Sequence, residues 1–245
     1  MGQWIKREGF LPPREASRKE SYKICFLDES FLQDILDLQN RIARDLPTPE
    51  IFRLHEDDYF QEIFRLDRAV IGVTTEDGLI AYSIIRLPRD AEDNLGRDIG
   101  LPEIDLNKVA HLQAAVVHPA YRGNGLQRRM AMAHLEVIDD LGYEHVCCTV
   151  SPKNPVSLGN IFSNGFVIRN LTPKFKGWWR YIMYKKNLCP IKVDKSKAGE
   201  EIAIAGRDIN GQVDLLNQGF IGFKMALLPE GFKVFYGKYQ YPFTF

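Results

Sequence analysis

The chain has 245 residues, 45% of them hydrophobic and 26% charged, enough apolar material for one ample domain or one domain with an appendage. Lys plus Arg equals Asp plus Glu at 32 each, so the net charge is zero, which argues against nucleic acid as the main partner. No run approaches the roughly 18 apolar residues of a membrane helix, and Met1 to Ser21 holds no apolar core of signal-peptide length. The expectation is a soluble, cytoplasmic chain with no membrane partner.

Residues 1–20 are charged and proline-bearing, with Trp4 and Phe10 as isolated anchors, and are expected to form an arm. Tyr22 to Leu27 alternates like a strand, and Asp28 or Ser30 can cap the helix that follows. In that helix Phe31, Ile35, Leu38 and Ile42 recur at helical spacing, and Pro47 and Pro49 end it. A shorter helix is expected from Asp58 to Arg65. Ala69–Thr75 and Leu79–Leu87 read as a hairpin turning at Glu76-Asp77-Gly78. Pro88 to Asn107, with six acidic residues, reads as an irregular solvated insert.

Lys108 to Val117 is the next strand, and its apolar end, Ala114 to Val117, reads as buried. After His118-Pro119 comes a basic loop with Gly123 and Gly125. A helical pattern follows, with Leu126, Met130, Ala133, Val137 and Leu141 on one face and Gly142 just past its end. A glycine loop at a helix start offers main-chain N–H groups to an anion, and the missing Cβ atoms allow close approach. The residues alone therefore imply a phosphate cradle. Glu144 to Val150 is another strand, and Asn154-Pro155 opens a helix closed by Asn164-Gly165. Phe166–Leu171 and Trp179–Lys185 are strands around a basic aromatic loop.

Beyond residue 188 the texture changes. A linker-like stretch, 191–200, precedes a small strand, helix and strand unit and an aromatic tail. Three segments are thus expected: an arm (1–20), a main domain (21–188) and a C-terminal extension (189–245). The element order of the main domain implies an α/β chain with a mixed sheet and helices on both faces. The four cysteines, Cys25, Cys147, Cys148 and Cys189, show no metal spacing and read as buried reduced thiols, so no metal is expected.

This order, with a glycine loop after the fourth strand, resembles the GCN5-related N-acetyltransferase (GNAT) family over about residues 22–186. Arg122-Gly123-Asn124-Gly125-Leu126-Gln127 matches the family's Gln/Arg-x-x-Gly-x-Gly/Ala except at Gln127. Asn154, Ser157, Gly165 and Phe166 fall at the spacing of a second family pattern, Asn-x-x-Ala with a closing Gly-Phe. A nucleotide P-loop would need Gly-Lys-Ser/Thr, and a dinucleotide loop would follow the first strand.

The resemblance implies acetyl-CoA as co-substrate. Main-chain groups from Arg122 to Gln127 would take its pyrophosphate, and Val116 and Val117 would pair with its pantetheine arm. Asn154 and Ser157 would lie further along that arm. It implies direct transfer to an amine of a small molecule or peptide, with His111 as general base. The strand resembles that of arylalkylamine N-acetyltransferases, with Gln113 where those carry a second histidine. Alternation puts His111 and Gln113 on one face and Ala114 on the other. His118 and His134 are expected to be structural.

Ile161 occupies the position of the family's usual tyrosine acid, leaving Tyr181, Tyr184 or a C-terminal tyrosine for that task. The acceptor region would use 45–59, with Glu50, His55, Glu56, Asp57 and Asp58, and Lys174 to Trp179. Lys174 and Lys176 could instead meet a CoA phosphate. Rival readings are a non-catalytic acyl-CoA-binding module and an assembly subunit. The aromatic extension could also cover the acceptor cleft or make a homodimer contact.

Overall fold

A computed structural model describes residues 7–11, 20–187 and 201–238. Trp4, Cys189, the linker-like stretch 191–200 and the tail from Tyr239 fall outside these residues. The described chain forms two compact units, 1–87 with 110–142, and 88–109 with 143–245.

In the first unit, strands β1 (Arg7–Leu11), β2 (Glu20–Phe26), β3 (Val70–Thr75), β4 (Gly78–Arg86) and β5 (Val109–Val117) pair antiparallel in that order. The expected arm therefore contains an edge strand, and Phe10 is no anchor, being 70% exposed. Thr75 pairs with Gly78 across the expected hairpin, whose glycine takes φ +113°. Helix α1 (Leu32–Arg44) buries Ile35, Leu38, Gln39 and Ile42, and α2 (Asp57–Phe64) buries Phe60 and Ile63. Tyr82 of β4 meets Phe60 edge-on at 6.3 Å. Its neighbour Ala81 packs with Leu126, Met130 and Ala133, which belong to α5 (Leu126–Asp140). Successive strand residues face opposite ways, so α2 and α5 lie on opposite faces of this sheet.

In the second unit the strands are β6 (His145–Val150), β7 (Val167–Lys174), β8 (Trp178–Lys186), β9 (Ile202–Ala205), β10 (Phe220–Leu228) and β11 (Gly231–Lys238). Their order in the sheet is β6-β8-β7-β10-β11-β9. Gly222 of β10 pairs with Ile168 of β7, so the C-terminal strands extend the same sheet rather than standing beside it. A Cβ on Gly222 would come within 2.9 Å of the Ile168 side chain, which accounts for a glycine there.

The insert is not a solvated loop. It forms two short helices, α3 (Leu95–Asp98) and α4 (Glu103–Leu106), and buries Leu95, Ile99 and Leu106. Leu95 and Ile99 join Cys147, Val167, Ile182 and Tyr184 in one core cluster. Asn94 organises the turn: its amide donates to the carbonyls of Leu106 (3.0 Å) and Arg89 (2.5 Å), and its oxygen accepts from Gly96 N. Asp90, Glu92, Asp93 and Glu103 lie outward, while Leu95, Ile99 and Leu106 close the core. On the other sheet face Tyr181 reaches helix α7 (Ile209–Asn217). Helix α6 (Pro155–Ser163) packs against β10, where a Cβ on Gly159 would meet Met225 Sδ at 3.6 Å. No helix among the described residues is long and apolar enough to cross a membrane.

Candidate functional site

The glycine loop follows β5 in the first unit. His118 Nδ1 accepts from Ala120 N at 3.3 Å and caps a 3-10 turn, Pro119–Tyr121. That bond needs an unprotonated Nδ1, and burial with Arg41 and Arg122 nearby holds the His118 pKa below its usual value. Arg122 Nε donates to Val117 O at 3.4 Å, and Asn124 Nδ2 donates to Tyr121 O at 3.0 Å. Gly123 and Gly125 take φ +85° and +70°, left-handed backbone that glycine adopts without strain. Gly125 is the N-cap of α5 and brings no side chain to cap it. The helical ladder starts with Arg129 N to Gly125 O at 3.0 Å. A helix start of this kind, partly positive and with N–H groups ahead of its ladder, suits an anion. A Cβ built on Gly125 meets nothing within 4 Å, so the approach to this backbone is open. Arg122 and Arg128 are exposed beside it. These observations fit a phosphate-bearing ligand.

His111, Val116 and Val117 lie on β5, upstream of the loop. Arg86 pairs with His111, Ile85 with Leu112, Ile84 with Ala114 and Tyr82 with Val116. Gln113 is thus an extra residue, a bulge that breaks the period-2 pattern. Directly opposed residues share a face, so His111 lies on the face of Ala114, Val116 and Tyr82. That corrects the expected alternation, which set Ala114 opposite His111. His111 is 2% exposed. His134, on α5, is wholly buried, with neither ring nitrogen hydrogen-bonded. Burial lowers its pKa to about 4, and the nearby Ser83 main chain pulls the other way by less.

Asn154 and Ser157 belong to the second unit. There Asn154 Oδ1 accepts from Ser157 N at 3.0 Å, capping α6 above Pro155. Ile161 is buried in this helix. Among the described residues, the tyrosines offered as acids are tied up. Tyr181 and Tyr236 each donate to Gln212 Oε1 at 2.8 Å, and Tyr184 OH lies 3.0 Å from His145 Nδ1. All three phenols are buried, and burial pushes the pKa of Tyr181 and Tyr236 far up. Cys147 and Cys148 are buried with raised pKa values, which suits packing rather than nucleophilic chemistry.

The two acceptor segments fall in different units. In the first, Gln39 clamps His55 by both main-chain groups, donating to His55 O at 2.6 Å and accepting from His55 N at 3.3 Å. The His55 ring stacks on Tyr59 at 4.0 Å, and burial lowers its pKa to about 4. Glu56, Asp57 and Asp58 stay exposed. In the second, Lys174 is paired with Asp98 at 2.6 Å, which removes it as a free phosphate contact; Lys176 is exposed. Arg180 lies 5.5 Å from the Phe175 ring and 5.6 Å from that of Trp178.

Two ties went unread in the sequence. Tyr121 OH donates to Glu20 Oε2 at 2.8 Å, and Arg129 donates to Tyr22 OH at 2.5 Å. Gln39 had a signal: a polar residue on the buried stripe of α1.

No protein-family model and no curated protein matches the sequence. Solved structures do match. A GNAT-family acetyltransferase from Listeria monocytogenes aligns with a TM-score of 0.51 at 18% identity, over 73% of this chain and 99% of its own. An N-acetyltransferase from Staphylococcus aureus aligns at 0.53 and 14%, over 69% and 99%. A chain of the NatC complex, bound to Gag peptide and CoA, aligns at 0.53 and 11%, over 67% and 98%. At these identities the likeness is one of fold: the chain has the α/β fold of the GNAT acetyltransferases.

Proposed function

We propose that the chain is an N-acetyltransferase that moves an acetyl group from acetyl-CoA to an amine of a small molecule or peptide within a ternary complex. The observation that carries this reading is the start of α5. Gly125 caps it in left-handed backbone, without a side chain and with open space where a Cβ would stand. The fold shared with GNAT acetyltransferases points the same way.

In this reading main-chain groups from Arg122 to Gln127 hold the CoA pyrophosphate, with the Arg122 guanidinium beside it. Val116 and Val117 present β-strand backbone to the amide-bearing pantetheine arm. Asn154 and Ser157 are proposed as contacts further along the same arm. The acceptor nitrogen gives up a proton and attacks the thioester carbonyl; the C–N bond forms as the C–S bond breaks, and the thiolate leaves. His111 is the proposed base, a role typically worth about 10²–10⁴ in rate. Because it is buried, it exchanges protons through substrate or admitted water rather than bulk solvent. The thiolate leaves without Tyr181 or Tyr184, whose hydroxyls are engaged elsewhere. No metal is assigned a part, and the cytoplasm is the proposed compartment.

Free-thiol detection of CoA release against polyamines, aminosugars, amino acids and peptide amines tests this. Release stimulated by one class supports the reading and names the acceptor. A second reading, a non-catalytic acyl-CoA-binding module, is favoured by Ile161 at the usual acid position together with the sequestered tyrosines. Acetyl-CoA binding without turnover on any amine would select it.

A further inference from the structure

We infer that the Tyr121–Glu20 hydrogen bond is a positioning latch that holds the phosphate loop ready for its ligand; the inference rests on the proposed CoA site. The other loop bonds described above are local, spanning two, three and five residues. They shape the turn; His118 N, donating to Ile80 O of β4 at 2.8 Å, fixes its start to the sheet, and Tyr121 is the residue nearer the glycines that does so. Two left-handed glycines in three positions give such a turn a large conformational entropy to lose on binding. Tyr121 crosses 101 residues of sequence to reach Glu20 at the start of β2. Its ring packs against the core of the first unit, and its carbonyl takes the Asn124 amide. One residue therefore joins core, strand and glycine turn.

Stability alone is a poor account of this pair. The second carboxylate oxygen, Glu20 Oε1, is buried with no hydrogen-bond partner, an arrangement that costs free energy. An apolar pair would hold the strand without that cost but would not fix the direction of the Tyr121 ring, and so of its backbone. A second tie repeats the pattern one turn on. Arg129 bonds Tyr22, two residues from Glu20 and hence on the same strand face. Room for the Tyr22 ring comes from Gly9, where a Cβ would lie 2.6 Å from it. Strand β2 thus pins both the loop and the first turn of α5.

The test uses the full chain with Tyr121→Phe, Glu20→Leu and Glu20→Gln. It reads CoA affinity by calorimetry, melting temperature, and hydrogen exchange of the 118–128 amides without ligand. Tyr121→Phe and Glu20→Leu should each weaken CoA about tenfold, as loss of one charge-assisted bond does. Both should speed exchange in the loop; Glu20→Leu should melt near wild type, whereas Tyr121→Phe, which leaves both Glu20 oxygens unbonded, should melt somewhat lower. Glu20→Gln keeps an acceptor oxygen and should restore most of the affinity. Unchanged affinity and exchange in Tyr121→Phe would overturn the latch. So would a lowered melting temperature in all three variants with no rescue by glutamine, which marks a merely structural pair. If the wild-type chain binds no CoA, the proposed function fails, and the exchange data still decide the latch.

Discussion

Tyr181 of β8 and Gln212 of α7 share a buried hydrogen bond of 2.8 Å, and Tyr236 of β11 donates to the same Gln212 oxygen at 2.8 Å. The Gln212 amide donates in turn to the carbonyls of Gly206 and Asp208 at 3.1 Å. Gln212→Leu would strand two phenols and release those carbonyls. The expected loss is about 3 kcal/mol, since each buried unsatisfied group costs about 1–3 kcal/mol. In a chain of this size that lowers the melting temperature by about 6–12 °C. Acetyl-CoA affinity, measured well below melting, should not change. A variant melting with wild type would contradict this account of the C-terminal strands.

Asn94 makes the second stability prediction. Asn94→Ala removes the α3 cap and leaves the Leu106 carbonyl without its partner. The expected cost is about 2–3 kcal/mol, seen as a lower urea midpoint at unchanged slope. An unchanged midpoint would return the insert to the status of a surface loop.

His134 and His55 both make stability depend on pH, and His134 is the one without a hydrogen-bond partner. Its folded pKa of about 4 lies below the ordinary 6.5, so between these values the unfolded chain binds more protons. Stability therefore rises with pH across that window and is lost as pH falls through it, by at most about 3 kcal/mol from this group. His134→Leu should reduce the slope of that part of the stability–pH curve, leaving the share of His55, whose pKa is also lowered to about 4, and should not weaken the fold at pH 7, because it also removes a buried orphan group. Curves of equal slope would show that the ring finds a partner in solution.

His111→Gln keeps most of the side-chain volume and removes the base. Turnover should fall by at least about tenfold with acetyl-CoA affinity nearly unchanged. Unaltered turnover would exclude His111 as the base.

Much of the fold was legible because helical periods were unbroken in α1 and α5, Asp77-Gly78 marked the β3–β4 hairpin, and caps such as Asp28 and Asn154 sit where they act. The left-handed turn ahead of α5 was legible because Gly123 and Gly125 mark backbone that few other residues adopt. The Gln113 bulge was not: a period-2 pattern cannot show which residue the partner strand skips. The insert was misread because its helices are four residues long and its acidic residues outnumber Leu95, Ile99 and Leu106. Tyr181 and Tyr184 looked like available acids because sequence does not reveal that Gln212 and His145 hold them. Glu20 and Tyr121, 101 residues apart, could be joined only by the fold.

The start of α5 carries the whole account, and calorimetric titration of acetyl-CoA into wild type and Gly125→Val tests it most directly. Gly125 takes φ +70°, which a β-branched residue resists, and its missing side chain keeps the approach open. The account predicts saturable binding to wild type, and its loss in Gly125→Val while the circular dichroism spectrum stays native. A wild-type chain that binds no acetyl-CoA, or a variant that binds it as tightly, would contradict it.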